Sequence, residues 1–523
     1  MDENDVFFAL AAFSSAILLA RSIRSRARGW IAISALVLVV SGAGRLFFEQ
    51  SAGYVGAGLW AVFVLLPLGG QRWLGRLSDQ QRYRAASRLA SALRWLHPAD
   101  GWWDRPRLFE ALDLGRRGEV DDAAALLEQL ERGSSIFARE ARVHRLRMQS
   151  RWEDVLAWLT ENVPHAAAAE SVSLLPMRLR ALGETGDVEG LCALYEEAEP
   201  LFDRSDLSSL RSVCRLFVLA FAGRSERVAA LYDGPLRSSP KAIRSFWIAT
   251  AELAADPEDT RARARLRALL DEAEPSLRPS VERRSSHPPA KASAILSARA
   301  LAVVARIERE RDHEERYGER PGTLRGSVAT LALMVPSVSM FVVEELSGGS
   351  TTEATLRALG AVSPETVLAG ELWRLVAATT LHYGFLHLAM NMLGLWVLGR
   401  YVEHALGRAR YVGLYLATGV ASMAGVVLLS RAGLVEPQLL VGASGGVMGL
   451  VGATGAVMLR GLRSEGSALA RRRLLGVASI VGAQTIFDLL TPEVSFLSHF
   501  GGALLGFVLA SLLRHRVTPA AAK

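Results

Sequence analysis

Ser444, His499, His387 and Asn391 are the residues of this 523-residue chain whose types and spacing could do chemistry. Ser444 stands in Gly442-Ala443-Ser444-Gly445-Gly446. His499 lies in Ser498-His499-Phe500-Gly501-Gly502-Ala503-Leu504-Leu505-Gly506. His387 and Asn391 are four apart, so on a helix they share a face. Serine is a poor nucleophile until a base takes its proton, and histidine suits that task near neutral pH. Acyl transfer also needs donors aimed at the developing oxyanion. A serine at a helix start has unpaired backbone N–H groups beside it, and His387 and Asn391 could add two side-chain donors. Taken singly, each residue has a plainer reading. A serine in a glycine-rich helix serves packing, and a histidine between helices is a bonded interface residue. His382 with His387 makes a poor metal pair, because no acidic or cysteine ligand stands beside them.

These residues sit in an uneven chain. Half the residues are apolar and 22% are charged, but the apolar ones cluster near both ends. That excludes a single soluble globule, a disordered chain and a fibrous repeat. The formal charge of +7 is nearly all arginine, since Lys241, Lys291 and Lys523 are the only lysines. Many arginines flank apolar runs, where they set membrane orientation, so the charge does not point to nucleic acid. Cys192 and Cys214 lie in the polar middle without a CxxC partner and read as small buried hydrophobes.

A spanning helix needs about 20 apolar residues. Nine stretches qualify: 6–20, which is short, then 30–48, 54–70, 328–343, 375–398, 411–429, 440–459, 474–490 and 496–513. The opening Met-Asp-Glu-Asn-Asp lacks the basic start of a cleaved signal peptide. Arg21, Arg24, Arg26, Arg28, Arg72, Arg76, Arg400, Arg408, Arg410, Arg460, Arg463, Arg471, Arg472, Arg473, Arg514 and Arg516 fall on one side of a nine-span topology. The opposite connections are poor in arginine. Residues 49–53 and 491–495 have none, 430–439 has Arg431, and 344–374 has Arg357 and Arg374. The positive-inside rule then puts the polar block in the cytoplasm and the N-terminus outside. Losing the short first span leaves the rest unchanged. The fifth, seventh and ninth spans run from outside to inside and carry their polar residues in their first turns. His387, Asn391, Ser444 and His499 therefore share one depth near the outer face. Gly502 and Gly506 follow His499 on its own face and let another helix come close. With the seventh span as that helix, Ser444 and His499 come within hydrogen-bond reach.

Residues 71–325 are rich in Ala, Leu, Arg and Glu, with apolar residues at helical spacing. A turn followed by acidic residues and an apolar helix start recurs at Gly118–Ala123, Arg151–Val155, Gly186–Leu191 and Arg224–Val228. Ala123, Val155, Leu191 and Val228 are 32, 36 and 37 residues apart, a spacing that suits stacked helix pairs. The block resembles tetratricopeptide-type repeats, without their full set of aromatic, small and proline positions. A plain helical domain is the alternative. The repeat reading implies a cytoplasmic surface for a protein partner. Residues 275–292, rich in Pro and Ser, are expected to form a loop. Residues 306–320 are expected to form a solvated helix leading to the next span.

From about 325 to 515 the chain resembles the rhomboid intramembrane serine proteases. The resemblance rests on Trp373-Arg374, His382, the HxxxN set His387 and Asn391, and Glu403 with Gly407. It also rests on the GxSG set Gly442, Ser444 and Gly445, and the HxxGxxxG set His499, Gly502 and Gly506. It implies an all-α, polytopic membrane helix bundle with a six-span core; the about three N-terminal spans and the soluble α-helical block read from the apolar pattern lie outside that core. The expected domains are 1–70, 71–325 and 326–516. It implies Ser444 as nucleophile and His499 as general base, a dyad without an Asp. His387, Asn391 and the Ser444 N–H would make the oxyanion hole. Trp373, Arg374 and Glu403 would hold the outer loop, with Gly442, Gly445, Gly502 and Gly506 as structural support. Met448 stands where many relatives carry an aromatic ring. Asp488, near the end of the eighth span, reads as an interfacial residue rather than a catalytic acid.

The expected activity is cleavage of transmembrane segments of membrane proteins at the extracytoplasmic face of the cell (inner) membrane. The lipid bilayer is the expected surrounding, and no metal, nucleotide or organic cofactor is implied. The rival is an inactive rhomboid-like factor that binds membrane proteins without cutting them. A transporter would need a paired charge pathway or an inverted repeat, and neither is evident.

Overall fold

Apolar runs without internal charge fold into long helices, because a helix pairs its own backbone groups where no water is present. In this computed structural model the described residues are 3–25, 27–48, 50–97, 99, 101–133, 136–163, 172–203, 207–272, 274–318, 327–490 and 495–513. Arg26, Arg514 and Arg516, most of the 491–495 connection and the end of the 306–320 charge run lie outside them. The apolar helices are α1 (Glu3–Ser25), α2 (Arg28–Phe47), α3 (Ala52–Asp79), α4 (Val328–Leu346), α5 (Gly384–Leu406), α6 (Arg408–Arg431), α7 (Ser444–Glu465), α8 (Ala468–Leu490) and α9 (Phe496–Leu512). Among the described residues the first seven are long and apolar enough to cross a membrane. The chain is an all-α, multi-pass membrane protein. Its one β-bridge among the described residues joins Val362 to Leu440.

The chain divides into two compact units, Met1–Glu308 and Arg309–Lys523. The first holds α1–α3 and a succession of short helices. Helices begin at Val120, Trp152, Val188 and Ser225, where the recurring sequence pattern expects them. The cause is local. Gly118, Ser150, Gly186 and Gly223 all take positive φ. The residue after each sends its N–H back five residues, to Leu114, Leu146, Leu182 and Leu219. That is a Schellman stop, which closes one helix and aims the chain into the next. The expected loop at 275–292 instead contains the helix Arg278–Ser286. Pro279 falls in its first turn, where a missing N–H costs nothing. Cys192 and Cys214 are free and buried, and burial pushes the Cys192 thiol up to about 12.

In the second unit α7 is the central post. Within its most apolar stretch 83% of the residues are buried, against 17% for α4. Glycine makes this possible. A Cβ at Gly502 would collide with the Gly445 carbonyl, one at Gly506 with the Gly449 carbonyl, and one at Gly452 with that of Ala503. The α7 and α9 backbones therefore touch directly. The pairs Gly445–Gly502 and Gly449–Gly506 advance together, so the two helices run parallel in fixed register.

The expected fifth span over 375–398 starts later. Residues Arg374–Ala377 and Ala378–Thr380 form short turns, and α5 opens at Gly384, whose φ is +79°. The expected seventh span likewise starts at Ser444, because Leu440 is drawn into the bridge with Val362. The charge run is not wholly solvated. Its helix, Ala298–Tyr317, ends with Tyr317 buried, and the Tyr317 hydroxyl donates to Glu465 at 2.8 Å, at the end of α7.

Candidate active site

Ser444 is the first residue of α7, His387 the fourth of α5 and His499 the fourth of α9. The α7–α9 register sets His499 level with Gly442, two residues before the serine. The α5 contacts agree. A Cβ on Gly442 would reach His387, and one on Gly394 would meet Val447, so α5 also runs parallel to α7. The four polar residues thus gather at one end of three parallel helices. His499 and Asn391 are buried, and Ser444 and His387 are partly exposed.

The chain entering α7 is pinned before it reaches the serine. Val362 and Leu440 exchange both backbone bonds, at 3.0 and 2.8 Å. The Gly442 N–H donates to Ala378 O at 2.8 Å. Gly442 itself has φ +118°, a conformation that disfavours side chains. Its missing Cβ keeps open a space whose walls include His387 and Ser444. A carbon there would stand 2.9 Å from His387 Nε2 and 3.7 Å from Ser444 Oγ.

His387 is held in one tautomer. The Tyr383 N–H donates to its Nδ1 at 3.2 Å, so in the neutral ring the proton sits on Nε2. Nε2–H is then a donor bordering the space beside Ser444. Asn391 Nδ2 donates to the His387 carbonyl at 2.9 Å, which uses one of its two N–H groups. The His382 ring meets His387 edge to face at 5.2 Å. Its backbone N–H donates to Glu344 at 2.9 Å.

Arg374 ties the long loop together. Its Nη1 donates to the carbonyls of Arg357 at 2.6 Å and Ala361 at 3.3 Å, and its Nε to Glu371 at 2.6 Å. The guanidinium lies 4.8 Å from the Trp373 ring, which packs on Gly360. Glu403 takes no part in this loop, contrary to the sequence-based expectation. It stands in the last turn of α5, far from His387. There its carboxylate accepts the N–H groups of Ala329 and Thr330, at 3.1 and 2.9 Å, and the Thr330 hydroxyl at 2.8 Å. Glu403 caps the start of α4, where unpaired N–H groups favour an anion.

The sequence-based expectation read Asp488 as interfacial rather than as a catalytic acid. Its Oδ2 lies 2.8 Å from His499 Nδ1, and Gln484 Nε2 donates to its Oδ1 at 2.7 Å. An acid inside an apolar helix is costly and tends to serve function, a signal that was present in the sequence. Met448 is buried. Among the described residues no hydrogen bond joins Ser444 to His499.

Residues 369–516 match a family model described as Rhomboid domain. The chain is 32% identical to "Rhomboid protease GluP" of Bacillus subtilis over 184 residues, which are 35% of this chain and 34% of that protein. It is 35% identical to "RHOMBOID-like protein 5" of Arabidopsis thaliana over 161 residues, 30% of this chain and 50% of that one. With "Rhomboid protease GlpG" of Pectobacterium atrosepticum it shares 27% identity over 183 residues, 35% of this chain and 61% of that one. The chain thus covers about a third to a half of the first two relatives' lengths. The family model spans the helices that carry Ser444, His387 and His499, so this part of the chain is similar to rhomboid domains.

Proposed function

We propose that the protein is an intramembrane serine endopeptidase. Ser444 is the nucleophile and His499 the general base. The Nε2–H of His387, the free N–H of Asn391 and the Ser444 backbone N–H receive the oxyanion. The observation that carries this reading is the direct backbone contact of Gly502 with Gly445, which locks the serine and histidine at one end of two parallel helices.

The substrate is a membrane protein whose spanning helix unwinds near the site, where small or helix-breaking residues leave a backbone carbonyl open to attack. The arginine distribution supports a site near the extracytoplasmic face of the cell membrane and a cytoplasmic position for the helical block. A repeat scaffold with a protein partner is part of the same proposal and rests on the repeat spacing.

The inactive alternative has one observation in its favour: among the described residues no hydrogen bond joins Ser444 to His499. Catalytic hydrogen bonds are often long before substrate arrives, so this weighs less than the shared register. The test is cleavage of a model transmembrane segment in proteoliposomes. Wild-type protein is expected to cut within the segment, and Ser444→Ala is expected not to. Folded wild-type protein that binds such segments without cutting any would favour the alternative.

A further inference from the structure

We propose that Asp488 is a positioning residue for His499, so that the site works as a Ser-His-Asp relay with its acid supplied by α8. This rests on the serine-protease reading above. An ionised carboxylate in an apolar setting is costly unless it is paired. Asp488 is 4% exposed, and among the described residues no Arg or Lys pairs with it. Its partners are His499 Nδ1 at 2.8 Å and, one turn earlier on its own helix, the Gln484 amide at 2.7 Å. The two bonds use different carboxylate oxygens and so fix the plane of the group.

The tautomer follows from the acceptor. An ionised carboxylate can only accept, so the proton between the two groups belongs to Nδ1 of His499. Nε2 is left bare, the state in which a ring can take a proton. When Ser444 attacks, its O–H proton passes to His499 Nε2. The serine oxygen bonds to the substrate carbonyl carbon, and the carbonyl electron pair moves onto the oxyanion. The imidazolium formed is stabilised by Asp488, which stays ionised. The proton then goes to the leaving amine as the C–N bond breaks. Water reverses the sequence: its oxygen bonds to the acyl carbon as its proton passes to Nε2, and that proton returns to Ser444 Oγ as the ester bond breaks and the acid product leaves. Among the described residues His387 also lies near His499. It sits on α5, and its ring is engaged with the Tyr383 N–H.

The experiment uses the full chain in proteoliposomes with a model transmembrane substrate. It compares wild type with Asp488→Asn, Asp488→Glu and Ser444→Ala. The asparagine amide can donate to Nδ1, which moves the ring proton to Nε2 and leaves no base. Asp488→Asn should therefore lower kcat by roughly 10²–10⁴-fold, with KM little changed. Asp488→Glu should recover part of the loss. A kcat for Asp488→Asn within about threefold of wild type, well under one decade of transition-state stabilisation, would overturn the proposal.

A wild-type protein with no activity would be a failure of the protease reading, and a second measurement then decides the Asp488 question alone. The 15N spectrum of histidine-labelled protein, differenced against His499→Ala, reports which ring nitrogen carries the proton. A proton on Nδ1 that moves in Asp488→Asn supports the pairing, and a proton on Nε2 in wild type refutes it.

Discussion

Gly502 of α9 rests against the carbonyl of Gly445, the residue that follows Ser444. A flexible side chain could yield to an added methyl, but a backbone carbonyl in the middle of a bundle cannot. Gly502→Val should therefore push α9 away from α7 and carry His499 with it. Overpacking of this kind costs about 1–3 kcal/mol. Misplacing a reacting group by an ångström can cost roughly 10²-fold in rate. Gly501 provides the control, because nothing lies within 4 Å of a Cβ built there. Gly501→Ala should keep both activity and thermal stability. Equal losses in the two variants would detach the effect from the helix contact.

The open space beside Gly442 should be the oxyanion site. Gly442→Ala fills it and strains a backbone at φ +118°. Cleavage should vanish, while circular dichroism still reports a helical protein. His387→Ala and Asn391→Ala each remove one donor and should each lower kcat by roughly 10²-fold. A rate unchanged in either variant removes that residue from the role.

Glu403 works at the far end of α5 and should affect stability alone. Its carboxylate satisfies two backbone donors at the start of α4, together with the Thr330 hydroxyl. Glu403→Ala leaves those donors buried and unpaired, at a cost of about 2 kcal/mol. The thermal midpoint in detergent should fall by several degrees. The activity of the remaining folded protein should be unchanged. Lost activity without lost stability would contradict the capping role.

Much of the site was legible because its residues keep helical spacing. The four-residue step from His387 to Asn391, and the three- and seven-residue steps from His499 to Gly502 and Gly506, define faces without any tertiary knowledge. Four helix starts in the polar region were legible for the same local reason, a left-handed turn followed by an acidic first turn. What stayed hidden depends on distant partners. Glu403 meets Ala329 and Thr330 from more than seventy residues away in the chain. Asp488 looked interfacial because its partner stands on the next helix, and only their antiparallel packing brings carboxylate and imidazole together. The late start of α5 was hidden too, because an apolar run does not reveal that its first turns bond to a loop.

The most direct test is covalent labelling of detergent-solubilised protein with a fluorophosphonate, followed by peptide mass spectrometry. One adduct is expected, on Ser444. It should be absent in Ser444→Ala, and in His499→Ala it should form roughly 10³-fold more slowly, as expected for a serine without its base. Folded wild-type protein that takes up no label, or label that persists after Ser444→Ala, would contradict the account.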